Sequence, residues 1–148
     1  MFNMTLDYTE WMASSGFVDL DHTADWAIRV RGVDLSDLFR QAAAGLLSLA
    51  DPTPAPEHPT SHVRLRLKSA DRETLLVRWL EELHFLLETQ RLIPRSIQVR
   101  VSPKLSLIAD LELGAAASPG RAIKAVTFHD LRISETTDGL EATVVFDV

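Results

Sequence analysis

Residues 26–50, WAIRVRGVDLSDLFRQAAAGLLSLA, change their hydrophobic period halfway along. Trp26, Ile28 and Val30 alternate with Ala27, Arg29 and Arg31, the two-residue repeat of a half-buried strand. Gly32 permits a turn, and Asp34 and Asp37 bracket a helix start in a variant of the Ser/Thr-x-x-Glu capping arrangement. Leu35, Leu38, Phe39, Ala42, Leu46 and Leu49 then recur at helical spacing, so one face of that helix is apolar. The prolines of DPTPAPEHP (51–59) end it, because proline has no amide to donate.

Working outward, HVRLRLK (62–68) alternates again, with Val63, Leu65 and Leu67 on one face and Arg64, Arg66 and Lys68 on the other. Ser69 or Asp71 can cap a second helix over roughly 72–90 that turns Leu75, Leu76, Trp79, Leu80, Leu83, Leu86 and Leu87 inward. SIQVRV (96–101) and KLSLIADLEL (104–113) read as strands joined at Ser102-Pro103, and GAAASPGR (114–121) reads as a loop. AIKAVTFHDLRIS (122–134) and LEATVVFDV (140–148) flank ETTDG (135–139), whose Asp138-Gly139 pair favours a tight hairpin. Several strands with two early helices and no βαβα alternation predict an α+β fold. It should be a two-layer sandwich, a mostly antiparallel sheet with the two main helices on one face.

A chain of 148 residues suits a single domain, expected over 16–148. Residues 1–15 read as an N-terminal extension, either a loose tail or a start placed ahead of Met12. With 15 basic and 21 acidic residues the net charge is −6, which argues against coating nucleic acid by bulk electrostatics. The chain has no cysteine, so disulfides, thiolate metal sites and cysteine nucleophiles are excluded. No apolar run approaches the ~20 residues of a membrane span, and the N-terminus lacks a signal-peptide plan. A cytoplasmic protein with no membrane partner is the expectation.

Polar chemistry concentrates in DLDHTAD (19–25), just ahead of the first alternating strand. A hard divalent cation needs several oxygen ligands, commonly carboxylates and backbone carbonyls. Asp25 and Asp147, with a main-chain oxygen of Val148, would make a partial shell if the two strand ends met. The plain alternative is that Asp25 caps a turn and Asp147 is a solvated terminal residue; spacing leaves both open. His22 likewise fits a turn histidine bonded to backbone. Glu81-x-x-His84 has di-iron spacing but no second pair, and His129-Asp130 lacks companion histidines. Lys124 sits in a strand-like run on the face of Val126 and Phe128, where it must snorkel, pair with a carboxylate or protect an edge. Arg29, Arg31, Arg64, Arg66, Lys68 and Arg100 can join into one basic stripe, a solvated surface or a contact for RNA or an acidic partner. Phosphate-binding glycine loops and nucleophile-elbow motifs are absent.

DHTADWAIRVRG with LSDLFRQAAAGLLSL after it, IKAVTFHDLRI, and the terminal VVFDV together resemble the archease family in order and spacing, from about Phe17 to Val148. The resemblance implies a compact α+β sandwich and an accessory protein rather than an enzyme. It implies a partner, the RtcB-type RNA ligase, which joins RNA ends with GTP and a divalent metal and is guanylylated on a histidine of its own. The accessory protein promotes that guanylylation and multiple turnover in tRNA splicing and RNA repair, with RNA or tRNA an indirect partner through the ligase. Carried over residue by residue, it implies a divalent metal (calcium, magnesium or manganese) held by Asp25, Asp147 and the main-chain oxygen of Val148. Lys124 matches the family's functional lysine, and His22 with Thr23 would shape the turn. Phe128 stands where tyrosine is usual, and Trp26 where smaller aliphatics are common.

Two other readings follow from the residues. A metal-dependent phosphohydrolase would use Asp25, His22 and Asp147 around the ion, but lacks a clear general base. An RNA-binding or chaperone-like module would work through the basic stripe and show strong salt dependence.

Overall fold

The structure is a computed structural model and describes residues 15–21, 26–56 and 59–148. The expected N-terminal extension, up to residue 14, and the stretch from His22 to Asp25 lie outside the described residues. In chain order the elements are β1 (Gly16–Asp21), β2 (Trp26–Gly32), α1 (Leu35–Ala50), β3 (Thr53–Pro54), β4 (Ser61–Lys68), α2 (Arg72–Glu88), β5 (Leu92–Val101), β6 (Ser106–Ser118), β7 (Ala125–Val126), β8 (Ser134–Thr136) and β9 (Gly139–Asp147). All the strand pairings among the described residues are antiparallel.

The α+β architecture follows the alternation of periods in the sequence. The strands divide into two antiparallel sheets rather than one. The first runs β1-β2-β9-β7 with β8 also paired to β9; in the second, β6 is flanked by β5 on one side and by β3 and β4 on the other. Helix α1 packs on β2, β5 and β1, and α2 on β5, β4 and β7, so the helices tie the two sheets together. No helix among the described residues is long and apolar enough to cross a membrane.

Local chemistry explains each helix. The Asp34 carboxylate accepts the Asp37 N–H at 2.8 Å, and the Asp37 carboxylate reaches back to the Val33 N–H at 2.8 Å, satisfying two amides at the start of α1. Asp71 does the same for α2, accepting from the Thr74 N–H and hydroxyl. The inward residues read from the sequence are buried except Leu35, which is half-buried at the start of α1, and Trp79 at the centre donates its indole N–H to the Phe39 carbonyl at 3.0 Å. Each fully buried Leu or Phe contributes ~1.5–3 kcal/mol of hydrophobic stabilisation.

Three stretches differ from expectation. Strand β2 lies between β1 and β9, so Ala27 and Arg31 are buried along with Ile28 and Val30, while Trp26 is half-buried; Arg31 faces Glu141 with Nε 3.6 Å from Oε2. The alanine-rich stretch after Leu113 continues β6 to Ser118, because β3 and β5 offer it partners. The run 122–134 holds one two-residue strand, β7, then a turn, and only its last residue, Ser134, begins β8. There the Leu131 N–H donates to the Phe128 carbonyl at 3.0 Å and Asp130 has φ 50°. The β8–β9 hairpin turns at Thr137-Asp138 with Gly139 opposite Thr136. A side chain at Gly139 would place its Cβ 2.2 Å from the Gly32 carbonyl oxygen.

Candidate functional site

The terminal strand β9 buries Val144, Val145 and Phe146 and then presents an exposed Asp147, with Val148 half-buried. Beside it, β7 pairs Ala125 with Asp147 and Val126 with Phe146. One residue earlier, the Lys124 N–H donates to the Asp147 carbonyl at 2.8 Å. Thr127 closes the other end, its N–H and Oγ1 both donating to the Val145 carbonyl at 3.0 and 2.9 Å. Residues 124–127 are therefore stitched along the end of the terminal strand. Lys124 is exposed and lies just outside the strand, so it neither snorkels nor occupies a core-facing position; Phe128, on the same alternation, is 55% exposed. The Lys124 ammonium and the Asp147 carboxylate form no hydrogen bond or ion pair with any described residue.

On the other side of β9, Trp26 of β2 stands opposite Phe146. The register thus stops at a pair whose next residues along the chain are Asp25 before Trp26 and Asp147 after Phe146. Asp25 and His22 themselves lie outside the described residues. Among the described residues no three acidic or histidine side chains gather as a metal-binding group. The oxygen chemistry available at this end is an exposed carboxylate and adjacent main-chain oxygens, which suits a hard cation such as calcium, magnesium or manganese.

The segment that delivers Lys124 is anchored on α1. The Arg121 N–H donates to the Ala50 carbonyl at 2.8 Å, and Gly120 (φ 86°) lies so close to that oxygen that a Cβ would approach to 1.9 Å. The Arg121 guanidinium lies 5.3 Å from the centre of the Trp26 ring, a cation–π contact that holds this half-buried tryptophan. Asp19, opposite Ile28 on β1, is exposed by area yet crowded by its neighbours. Desolvation pushes its carboxyl above the usual range against the opposing pull of Arg121. The sequence offered Trp26 as a packing residue but gave no sign of Arg121, whose role depends on a loop crossing the sheet end.

The other sequence candidates separate. His129 and Asp130 are neighbours at 3.3 Å in an exposed turn, not in a strand. The His84 Nε2 is buried without a partner among the described residues and does not pair with Glu81. The basic residues do not form one stripe: Arg29 and Arg31 belong to the first sheet, whereas Arg64, Arg66, Lys68 and Arg100 lie on the second.

Residues 17–148 match the Archease protein family (MTH1598/TM1083). The chain is 33% identical over 147 residues to the protein archease of Methanosarcina barkeri, covering 93% of this chain and 100% of that one. It is 30% identical to the protein archease of Archaeoglobus fulgidus, over 87% of this chain and 96% of the other. The solution structure of protein 1598 of Methanobacterium thermoautotrophicum superposes with a TM-score of 0.67 at 26% identity, covering 90% and 99% of the two chains. The crystal structure of an archease from Thermotoga maritima, titled a possible chaperone, shares the fold with a TM-score of 0.62 at 22% identity, covering 87% and 94%. With its motifs, its fold and its matches extending over nearly the whole sequence, this chain belongs to the archease family.

Proposed function

We propose that this chain is a non-catalytic accessory protein of an RtcB-type RNA ligase, promoting the ligase's GTP-dependent guanylylation and its repeated turnover in tRNA splicing and RNA repair. Family membership supports an accessory role, and the observation that carries the finer reading is the pairing of Lys124 with Asp147 at one exposed sheet end. Asp147, the main-chain oxygen of Val148 and, from the far side of the Trp26–Phe146 pair, Asp25 would hold a divalent cation. When bound, that cation supplies positive charge for a nucleotide phosphate. Lys124 balances the carboxylates or donates to a phosphate oxygen. The exposed position lets this end reach into a partner's active-site mouth while the buried rows of β2 and β9 keep it rigid. The setting is the cytoplasm, where the ligase and its tRNA substrates meet.

The test is RNA ligation by limiting RtcB-type ligase from the same source, with GTP and manganese, with and without this protein. Many products per ligase molecule only in its presence support the reading. No stimulation of an active ligase overturns it, and phosphate release from RNA ends by this protein alone would replace it with a hydrolase.

A further inference from the structure

The second sheet turns a different chemistry to solvent. In β6, Leu107, Ala109, Leu111 and Leu113 are 1%, 0%, 1% and 1% exposed, so Ser106, Ile108, Asp110 and Glu112 point outward. Register sets their neighbours: Lys68 beside Ser106, Arg66 and Arg100 on either side of Ile108, Arg64 and Gln98 on either side of Asp110, His62 and Ser96 on either side of Glu112. At the next rung Arg95, freed by the irregularity between Pro94 and Ser96, lies over Gly114, where a Cβ would meet its Nε at 2.3 Å. Basic side chains therefore recur rung after rung over ~26 Å of strand, on a face two inter-strand spacings (~10 Å) wide. These strands carry five basic residues against two acidic ones, in a chain whose net charge is −6.

The acidic residues cancel only part of this row: Asp110 takes up Arg64, and Glu112 stands between His62 and Ser96. Arg64 grips Asp110 with both forks, Nε–Oδ1 2.8 Å and Nη2–Oδ2 3.2 Å. Those hydrogen bonds hold the Asp110 carboxyl below its usual range, and the charges of Arg100 and Arg66 hold it lower still. Arg66, Arg100 and Lys68 are exposed and make no hydrogen bond or ion pair with a described residue.

We infer that the outer face of the second sheet is a binding surface for the phosphate backbone of single-stranded RNA, read without regard to base sequence. A regular row of cations matches a polymer with one charge per unit, and guanidinium forks fit phosphate oxygens bidentately. The strip is too narrow for both strands of a duplex, whereas Gln98 and Ser96 can serve sugar or base edges of one strand. The face carries no Phe, Tyr or Trp, only the imidazole of His62 at one end, so stacking adds little and binding is mainly electrostatic and weak. This surface lies on a different sheet from Asp147 and does not depend on the ligase reading.

The test is fluorescence anisotropy of a labelled oligouridylate of roughly 15 nucleotides, titrated with the whole chain between about 50 and 200 mM salt. The expected Kd is about 10⁻⁵ M at low salt, weakening with a log–log slope of about −2 to −3. The doubly substituted R66A/R100A should bind at least tenfold more weakly, its slope shallower by about 1.4, with an unchanged circular dichroism spectrum. K68A, a single exposed change, should lower the slope by about 0.7. Wild-type affinity in both variants, or no binding by the wild type at low salt, overturns the inference. Displacement of the RNA by polyglutamate at equal charge concentration would assign the face to an acidic peptide instead.

Discussion

Lys124 donates its main-chain N–H to the carbonyl of Asp147 at 2.8 Å, while both side chains point away from the core and stay exposed. Backbone holds the pair together, and the side chains are left for other work. Lys124→Ala and Asp147→Ala should each change unfolding free energy by less than about 0.5 kcal/mol, as exposed substitutions usually do. Each should also lower multiple-turnover ligation by tenfold or more. Urea titration and the ligation assay check both halves; a large loss of stability would make the residues structural, and full stimulation would remove them from the site.

A cation held by Asp147, Val148 and Asp25 would bind the folded chain and not the unfolded one, and so would stabilise it. At about 100 times its Kd the gain is ~2.7 kcal/mol, worth several degrees in Tm for a chain of this size. Calcium or manganese should therefore raise the melting temperature of the wild type, and a chelator should reverse the rise. Asp147→Asn should show no rise. An equal shift in the variant would place the ion elsewhere.

The helices and most strands were legible because their signals are local: Asp34 and Asp71 as caps, a Leu/Trp stripe in α2, alternation in β4 and β5. Strand β1 was not read, since GFVDLD has too few alternating apolar residues to stand out and is a strand because β2 pairs with it. The extension of β6 through GAAAS and the break after Val126 escaped for the same reason: partners, not propensity, decided them. Of the site, Asp147 and Lys124 stood out as a carboxylate next to the end and a lysine where an apolar residue was expected, the motif resemblance gave them roles, and only the register of β7 on β9 brings them together. Arg121 over Trp26 had no sequence signal at all.

The start of α1 makes stability depend on pH. Burial alone would raise the Asp37 carboxyl, but hydrogen bonds from the Val33 N–H, Arg40, Gln41 and Ser15 outweigh it and hold the group below its ordinary value of 3.8. A depressed folded value gives stability that is present above the unfolded value and is lost as pH falls through the folded one. Acid should thus weaken the fold below about pH 4, and Asp37→Asn should flatten that slope. Asp19 has the opposite sign: its raised carboxyl favours the fold at low pH, an advantage lost as pH rises through the folded value. Asp19→Asn should gain slightly at neutral pH. Urea midpoints between pH 3 and pH 7 test both, and parallel curves for Asp37→Asn and wild type would show that the cap carries no linkage.

Trp79 separates packing from hydrogen bonding in the centre of the molecule. Its side chain is fully buried where α2 meets α1, and its indole N–H reaches the Phe39 carbonyl at 3.0 Å. That carbonyl lies inside α1, where the helix supplies its own donor four residues on, so losing the indole leaves no orphan acceptor. Trp79→Phe should therefore cost about 1–2 kcal/mol, one hydrogen bond and a modest loss of volume. Trp79→Ala removes the whole ring and should cost about 3–5 kcal/mol, because the strands on either side cannot collapse into the gap. Chemical denaturation of the two variants decides the matter: equal losses would mean that the hydrogen bond, not the ring, holds α2 against α1.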